Sequence, residues 1–490
     1  MAQATRPNSP GSLRRNAIST VGAVAIAMAF MGPATSVFFN TPPAVAGAGY
    51  ALPLGIFMAL VVCLLVASAI ASFAHKIPAA GFAYTFNTQA FGKWGGFISG
   101  WILVLSYGMV GPMLFAAIGG FTSQFLHDQF KLEIPWWVLT IVFVAIVWAI
   151  AASGIQRSAR TALIFLVLEV GVMMALFLTI LGKGGAEGLH LGPFNPANSL
   201  NGVSGLGVAM LWGILMFVGF ESAGTLGEEA AESKRSIPIA LYLAAAIIGV
   251  FYVLSGYAGV IGFGKSHISD FVSDTGPWFT LGTRYWGSLA WIVALTVINS
   301  QFANLISGCS ASIRVIFSMS REGIFPRSLA RTDARGGPQL ATGFYMLFSL
   351  VLALALGASI GGPFNVYAFC GTILGLGIVI TYILINVALI VFYRRDHAQE
   401  FSIVRHGVFP VIASLLLLLP IYAQVWPVPA YPINLVPYIL VAWVVIGVVY
   451  MYYITRQRPD VLDAMGRVWV DDQRPGVPGV AAGATSPTRT

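Results

Sequence analysis

The chain has 490 residues, 57% of them hydrophobic and only 9% Asp, Glu, Lys or Arg, with a formal net charge of +8. Soluble domains carry roughly 25% charged residues, so no water-facing surface can be built from this composition, and a mean hydropathy of +0.82 sets most of the chain against lipid or itself. The basic residues are scattered between apolar blocks, which argues against a nucleic-acid partner. Cys63, Cys309 and Cys370 lie far apart inside apolar stretches, with neither a disulfide framework nor metal-ligand spacing.

Stretches free of Lys, Arg, Asp, Glu and His mark the predicted spans in chain order. Residues 16–74 form a 59-residue run, enough for two spans with a hairpin in the Pro- and Gly-rich segment 41–50. Residues 94–126, 134–156 and 161–182 hold one span each, the last interrupted only by Glu169. Residues 191–220, 236–264 and 285–313 hold one each, the first of these running past Glu221. Residues 336–393 and 407–455 hold two each. A crossing helix needs about 20 apolar residues, so twelve spans are predicted. The runs are too long and continuous for barrel strands of about 9–11 alternating residues.

Charge sets the expected orientation. With the N-terminus in the cytoplasm, 22 of the 26 Lys and Arg residues fall on the inner side, leaving Lys131, Lys183, Lys265 and Arg284 outside. Both termini are therefore expected inside a multi-pass protein of the cell membrane. Ala44-Val45-Ala46 resembles a signal-peptidase site and Arg14-Arg15 a twin-arginine signal. The apolar stretch before Ala44 exceeds the roughly 7–15 residues of a signal core, so an uncleaved first helix is expected. Residues 1–15 then form an inner tail, and residues 456–490 read as a disordered inner tail.

Two spans break their own pattern. Span 1 carries Met31-Gly32-Pro33-Ala34-Thr35-Ser36, where Pro33 removes a backbone donor and Gly32 adds flexibility. Span 6 carries Phe217-Val218-Gly219-Phe220-Glu221, a glycine and an ionisable residue at comparable depth. Taken singly, a proline kink and a packing glycine explain these equally well. Taken together they open corresponding blocks of five spans, residues 16–181 and 205–393. Matching breaks in two halves point to an inverted-repeat transporter that binds its substrate between the broken helices. Residues 405–455 add two further helices.

Ile77-Pro78-Ala79-Ala80-Gly81-Phe82-Ala83-Tyr84, then Ala90-Phe91-Gly92 and Gly96-Phe97-Ile98-Ser99-Gly100-Trp101, resembles the P-x-x-G-G-x-Y…A-F-G…G-F…G-W stretch of amino acid–polyamine–organocation superfamily permeases. Gly219-Phe220-Glu221, Glu228-Glu229 and Arg235-Ser236-Ile237-Pro238 resemble that family's signature across helix 6. Arg314, Ser320-Arg321-Glu322-Gly323 and Pro326 resemble its run after helix 8. The resemblance covers about residues 22–393. It implies an all-α integral membrane fold with five-plus-five inverted repeats and discontinuous helices 1 and 6. The implied activity is an amino acid permease working by alternating access, coupled to protons or sodium or acting as an exchanger.

The half-helix after Pro33 presents a positive dipole end suited to a carboxylate, and the end near Phe217–Gly219 presents carbonyls suited to an ammonium. The resemblance implies a substrate carboxylate on Gly32, Ala34, Thr35 and Ser36 and an amine on Phe217, Val218 and Phe220, the last also a gate. Pro33 departs from the family's Gly-Ser-Gly or Gly-Thr-Gly turn and costs the cradle one donor. Unless the hydroxyls of Thr35 and Ser36 replace it, amines without a carboxylate, such as polyamines and amino alcohols, stay open as substrates. Tyr107 in helix 3 is a further candidate for the pocket.

Glu169 and Glu221 are the two acidic side chains well inside predicted spans, where a charge costs about 2.5–3.5 kcal/mol. Glu221 is expected either to cap the unwound part of helix 6 or to bind a cation directly. Glu169 aligns, by the resemblance, with a position where some family members place a lysine that stands in for sodium. It is expected to carry the coupling proton, with Ser307 or Ser310 of helix 8 nearby; the alternative is a glutamate that only ties helix 5 to a neighbour. The histidines lie in loops or at span ends, and no cofactor, catalytic or phosphate-loop motif appears in the spans. The expected partners are a small amino acid or amine, the coupling ion and the lipid bilayer. Trp278 and Tyr285 are expected on a short external helix covering the site.

Overall fold

The computed structural model describes residues 19–77, 82–153, 158–226, 230, 233–333, 337–458, 461 and 465. The expected tails, and the motif residues Pro78–Gly81, Glu228 and Glu229, lie outside these, apart from residues 456–458, 461 and 465. The fold is all-helical among the described residues, with no strand. Among the described residues, ten stretches are long and apolar enough to cross a membrane, and Trp136–Ala152 is a shorter apolar helix.

The first stretch contains the predicted break. Helix α1 (Thr20–Met31) ends at Gly32, whose φ of 54° and ψ of 67° are left-handed, and α2 (Pro33–Ala48) starts at once on Pro33. Glycine takes this conformation without a Cβ clash. Proline at the first helical position loses only an N–H that has no helical partner there. The break is therefore one residue wide, narrower than the six-residue segment read from the sequence.

The hairpin expected over residues 41–50 is a correction. Here α2 continues through Pro42 and Pro43, and the turn is confined to Gly49–Ala51 before α3 (Leu52–Lys76). Buried helices tolerate such prolines when nearby side chains satisfy the backbone. Just before the prolines, the Thr41 hydroxyl donates to the Val37 carbonyl at 2.6 Å.

Helix 3 is two pieces, α4 (Ala83–Gly108) and α5 (Val110–Phe130), with a further kink at Gly92 (φ 77°). After α6 (Trp136–Ser153) and α7 (Ser158–Gly182) comes α8 (Gly202–Phe217). It stops at Val218, whose ψ of 122° is extended, and Gly219 at φ 123° carries the chain into the short α9 (Ser222–Thr225). The second predicted interruption is present too.

The rest of the chain runs through α10 (Ser233–Phe263), α11 (Ile268–Ser273), α12 (Pro277–Trp286), α13 (Trp291–Arg321), α14 (Gln339–Ile360), α15 (Pro363–Asp396), α16 (Phe409–Ala423) and α17 (Val436–Gln457). The broken pair α1/α2 packs against α8, α10, α13 and α7, so the breaks sit in protein and not in lipid. Short α12 lies across α2, its buried Trp278 donating from Nε1 to the Thr41 hydroxyl at 2.9 Å. At the other edge, α17 docks on α4 through Trp101 and Trp443. Each indole N–H donates to the other residue's carbonyl at 2.8 Å, and the rings stack at 4.6 Å.

Candidate functional site

The two breaks touch. A Cβ added at Gly219 would fall 2.8 Å from the Met31 nitrogen and 2.9 Å from the Phe30 carbonyl carbon, so only glycine lets these backbones meet. Beside the contact lies a narrow cavity, with about 20 Å³ open to a water molecule, so a solute as large as an amino acid enters only once the lining side chains move apart. Helices α1 and α2 supply Phe30, Met31, Ser36 and Asn40, and α8 with the residue after it supplies Leu215 and Val218. Val110 and Met113 come from α5, Asn304 from α13, and Tyr367 and Leu374 from α15. The lining holds no carboxylate, Lys, Arg or His; its polar groups are those of Ser36, Asn40, Asn304 and Tyr367.

The backbone groups freed by the first break are largely taken. The Met31 carbonyl accepts from the Ser36 hydroxyl at 2.6 Å and from the Tyr252 hydroxyl of α10 at 3.1 Å. The Thr35 N–H donates to Ser300 Oγ on α13 at 3.0 Å, and the Ser36 N–H donates to the Gly32 carbonyl at 2.7 Å. The Thr35 hydroxyl is buried without a hydrogen-bond partner. Glycine 32 faces the Asn304 side chain closely: a Cβ there would lie 2.2 Å from Asn304 Nδ2.

Glu169 on α7 is 1% exposed, and neither of its carboxyl oxygens has a hydrogen-bond partner. The groups that act on it are the Ser300 hydroxyl and the Ala34 N–H, so its carboxyl sits by the first turn of α2. Ser307 and Ser310 are on the same helix as Ser300 but only partly buried, and the 7 residues from Ser300 to Ser307 are about 10 Å of helix rise.

Glu221 is fully buried, and both its oxygens are engaged. Oε1 accepts from the Tyr107 hydroxyl at 2.8 Å, and Oε2 accepts from the Gly219 N–H at 3.0 Å. Tyr107 thus holds the unwound segment and does not line the cavity. Phe217 packs edge-on to Tyr252 at 5.4 Å, and Phe220 lies 6.0 Å from the Tyr382 ring, both away from the cavity wall. Of the residues expected to hold substrate, Ser36 and Val218 line the cavity directly; Gly32, Ala34, Thr35, Phe217, Phe220, Glu221 and Tyr107 are not in its lining.

The sequence reading missed the side-chain wall, above all Asn40, Asn304 and Tyr367. Asparagines inside charge-free apolar runs were the available signal. Above this wall is an aromatic layer. Phe39 lies 5.1 Å from Tyr367 and 6.2 Å from Phe364, and Phe38 lies 4.9 Å from Phe121. The Tyr367 hydroxyl donates to Asn40 Oδ1 at 2.7 Å. Phe38 and Phe121 also wall a second, small opening with Gln124, Asp128 and Thr275.

Comparison with known proteins agrees with this architecture. The family model described as amino acid permease matches residues 22–463. The chain is similar to the methylthioribose transporter of Bacillus subtilis, 25% identical over 77% of this chain and 81% of that protein. It is similar to the branched-chain amino acid permease of the same organism, 24% identical over 86% and 90%. It also resembles the low-affinity putrescine importer of Escherichia coli, 26% identical over 67% and 72%. These relatives are transporters and not enzymes. With a family match over most of its length and many apolar helices, this multi-pass membrane chain belongs to the amino acid permease family.

Proposed function

We propose that the chain is a secondary active transporter that moves an amino acid across the cell membrane by alternating access, in symport with a proton carried by Glu169. Counting Thr20–Lys76 as two crossings and Trp136–Ala152 as one gives twelve, in two inverted blocks of five with two helices added. The distribution of Lys and Arg supports both termini being cytoplasmic.

One observation carries the reading: the interruptions of α1/α2 and α8/α9 meet backbone to backbone beside a small cavity lined by both polar and apolar side chains. Irregular backbone at membrane depth persists where it lines a cavity, and ligand sites of transporters lie between such half-helices. The absence of a carboxylate or cation from the cavity lining suits a molecule without net side-chain charge. Its polar groups, on Ser36, Asn40, Asn304 and Tyr367, supply donors and acceptors for a zwitterion. The orphaned carboxyl of Glu169 beside α2 supports its role as the coupling group.

The second reading is a permease for amines without a carboxylate, as in polyamine or amino-alcohol transport. It draws on the first turn of α2, where Pro33 has no N–H and those of Thr35 and Ser36 are engaged. A putrescine importer among the relatives fits it as well.

Uptake into proteoliposomes tests both. Saturable accumulation of leucine or phenylalanine, driven by an inwardly directed proton gradient and lost in Glu169→Gln while exchange persists, supports the first reading. Accumulation of putrescine or ethanolamine alone supports the second. Linear conductance without saturation would rule out a carrier.

A further inference from the structure

We infer that Glu169 and the carboxylate of the transported amino acid compete for one helix end, the N-terminus of α2, so that the proton is linked to the acid group of the substrate and not to its amine. This rests on the proton-coupled reading above and says which part of the substrate the proton serves.

Helix α2 is 16 residues long and carries the positive end of its dipole at Pro33. Its first donors are few. Pro33 has none, Thr35 is committed to Ser300 at 3.0 Å, and Ser36 to the Gly32 carbonyl at 2.7 Å. The Ala34 N–H remains, and it acts on the carboxyl of Glu169. That carboxyl is 1% exposed and neither oxygen is in a formed hydrogen bond, with the Ser300 hydroxyl and then the Ala34 N–H as the groups that act on it.

The same end borders the cavity, since Met31 lines it just before the break and Ser36 just after. A substrate carboxylate drawn to α2 therefore approaches Glu169. Like charges at one site disfavour each other's ionised form. Ionised Glu169 repels the incoming carboxylate, and protonated Glu169 leaves the helix end to it. Linkage is reciprocal, so carboxylate binding favours proton uptake by the same factor. The two enter together, and an amine without a carboxylate gains nothing from the proton.

No neighbouring charge confuses this linkage among the described residues. The titratable group facing Glu169 from α10 is Tyr252, and Ser300 faces it from α13. Helices α1 and α2 carry no ionisable side chain. On α12, Arg284 is turned to the Gly262 carbonyl at 2.7 Å.

The test measures binding of leucine and of 3-methylbutylamine, its decarboxylated counterpart, to the purified full-length protein at acid and alkaline pH. Phenylalanine and 2-phenylethylamine form a second pair. The amino acids are expected to bind on the order of 10-fold tighter at acid pH, within the usual 5–150-fold range of coupling. The amines are expected to show no such gain. Glu169→Gln should hold the amino acids at their acid-pH affinity at every pH and leave the amines unchanged. Ser300→Ala, which frees the Thr35 N–H as a second donor, should flatten the amino acid profile and serves if the glutamine variant does not fold.

If the amines follow the same pH profile as the amino acids and lose it in Glu169→Gln, Glu169 still couples the proton but the carboxylate linkage is overturned. If the amino acids keep their pH dependence in Glu169→Gln, the assignment of Glu169 as the coupling group fails as well. Failure of every carboxylated probe to bind overturns the inference outright.

Discussion

The Tyr107 hydroxyl donates to Glu221 at 2.8 Å, and through that carboxyl α4 grips the unwound turn after α8, because the other oxygen holds the Gly219 N–H. The Tyr107 carbonyl in turn accepts from Ser312 on α13 at 2.8 Å and from Tyr345 on α14 at 2.9 Å. One tyrosine therefore ties four helices around the second break. Sequence reasoning left Glu221 between a cap and a cation ligand. A carboxyl with both oxygens engaged by the protein fits the cap.

Removing either partner should expose this role. Tyr107→Phe is expected to cost about 0.6–1.7 kcal/mol, the range that double-mutant cycles give for hydrogen bonds between membrane helices. Glu221→Gln loses an acceptor for the Gly219 N–H and is expected to cost at least as much. In a double-mutant cycle read by thermal unfolding in detergent, the two substitutions should be less than additive. Additive losses would mean that the contact carries no coupling energy.

Gly219→Ala should be the more damaging change. The residue has φ 123°, and its new Cβ would sit 2.8 Å from the Met31 nitrogen, a backbone atom that cannot rotate away. Strain of this kind costs about 1–3 kcal/mol before any clash. Transport should fall below a tenth of wild type with a clear drop in unfolding temperature. Gly171→Ala on α7 meets nothing within 4 Å and is the control expected to keep both. An active, stable Gly219→Ala protein would show that the breaks do not need to touch.

How much of this was readable beforehand depends on what each residue type can signal. The breaks were legible because Gly32, Pro33 and Gly219 act on the backbone itself, whatever surrounds them. Glu169 and Glu221 were legible because an acid inside a span has no bland explanation at low cost. The cavity wall was not, because α5 and α15 give no polar face to read and α13 carries so many small polar residues that none of them stands out. Asn40 and Asn304 cost too little in a membrane to stand out, and the turn of α13 that faces Glu169 came out at Ser300 rather than at Ser307 or Ser310. The hairpin was misplaced because Pro42 and Pro43 punctuate soluble helices more firmly than buried ones.

Asn304 is expected to set the size and polarity of the substrate. Its side chain fills the space over Gly32, lines the cavity, and is the polar contribution of α13 to it. Asn304→Ala should raise KM for the best amino acid by about 10-fold, the cost of one lost hydrogen bond of about 0.5–1.5 kcal/mol plus poorer packing. It should also admit substrates one or two methylenes larger. Asn304→Asp places a carboxylate in a lining that has none, and should shift preference toward solutes with an additional ammonium. Competition assays against a labelled amino acid read both changes. An unchanged substrate profile in both variants would remove Asn304 from the site.

The segment between α7 and α8 offers a pH prediction outside the membrane. The Glu187 carboxyl is held below the usual carboxylate range, chiefly by the Ser266 hydroxyl at 2.6 Å, then by the N–H groups of Ser266 and Lys265 at 3.1 and 3.0 Å. It staples the loop after α7 to the end of α10, alongside the Ala186 N–H to Ile261 carbonyl bond at 2.9 Å. Because the folded value is depressed, the staple is fully present above the ordinary carboxylate value of about 4.3 and is lost as the pH falls through the folded one. The protection factors for hydrogen exchange at Lys265 and Ser266, taken against intrinsic rates at each pH, should therefore be high at neutral pH and fall only in strongly acid medium. Glu187→Ala should bring the fast exchange to neutral pH while leaving the unfolding temperature nearly unchanged, since the site is exposed and the membrane helices pack without it. Protection that persists in Glu187→Ala would mean that the Ala186 bond alone holds the loop.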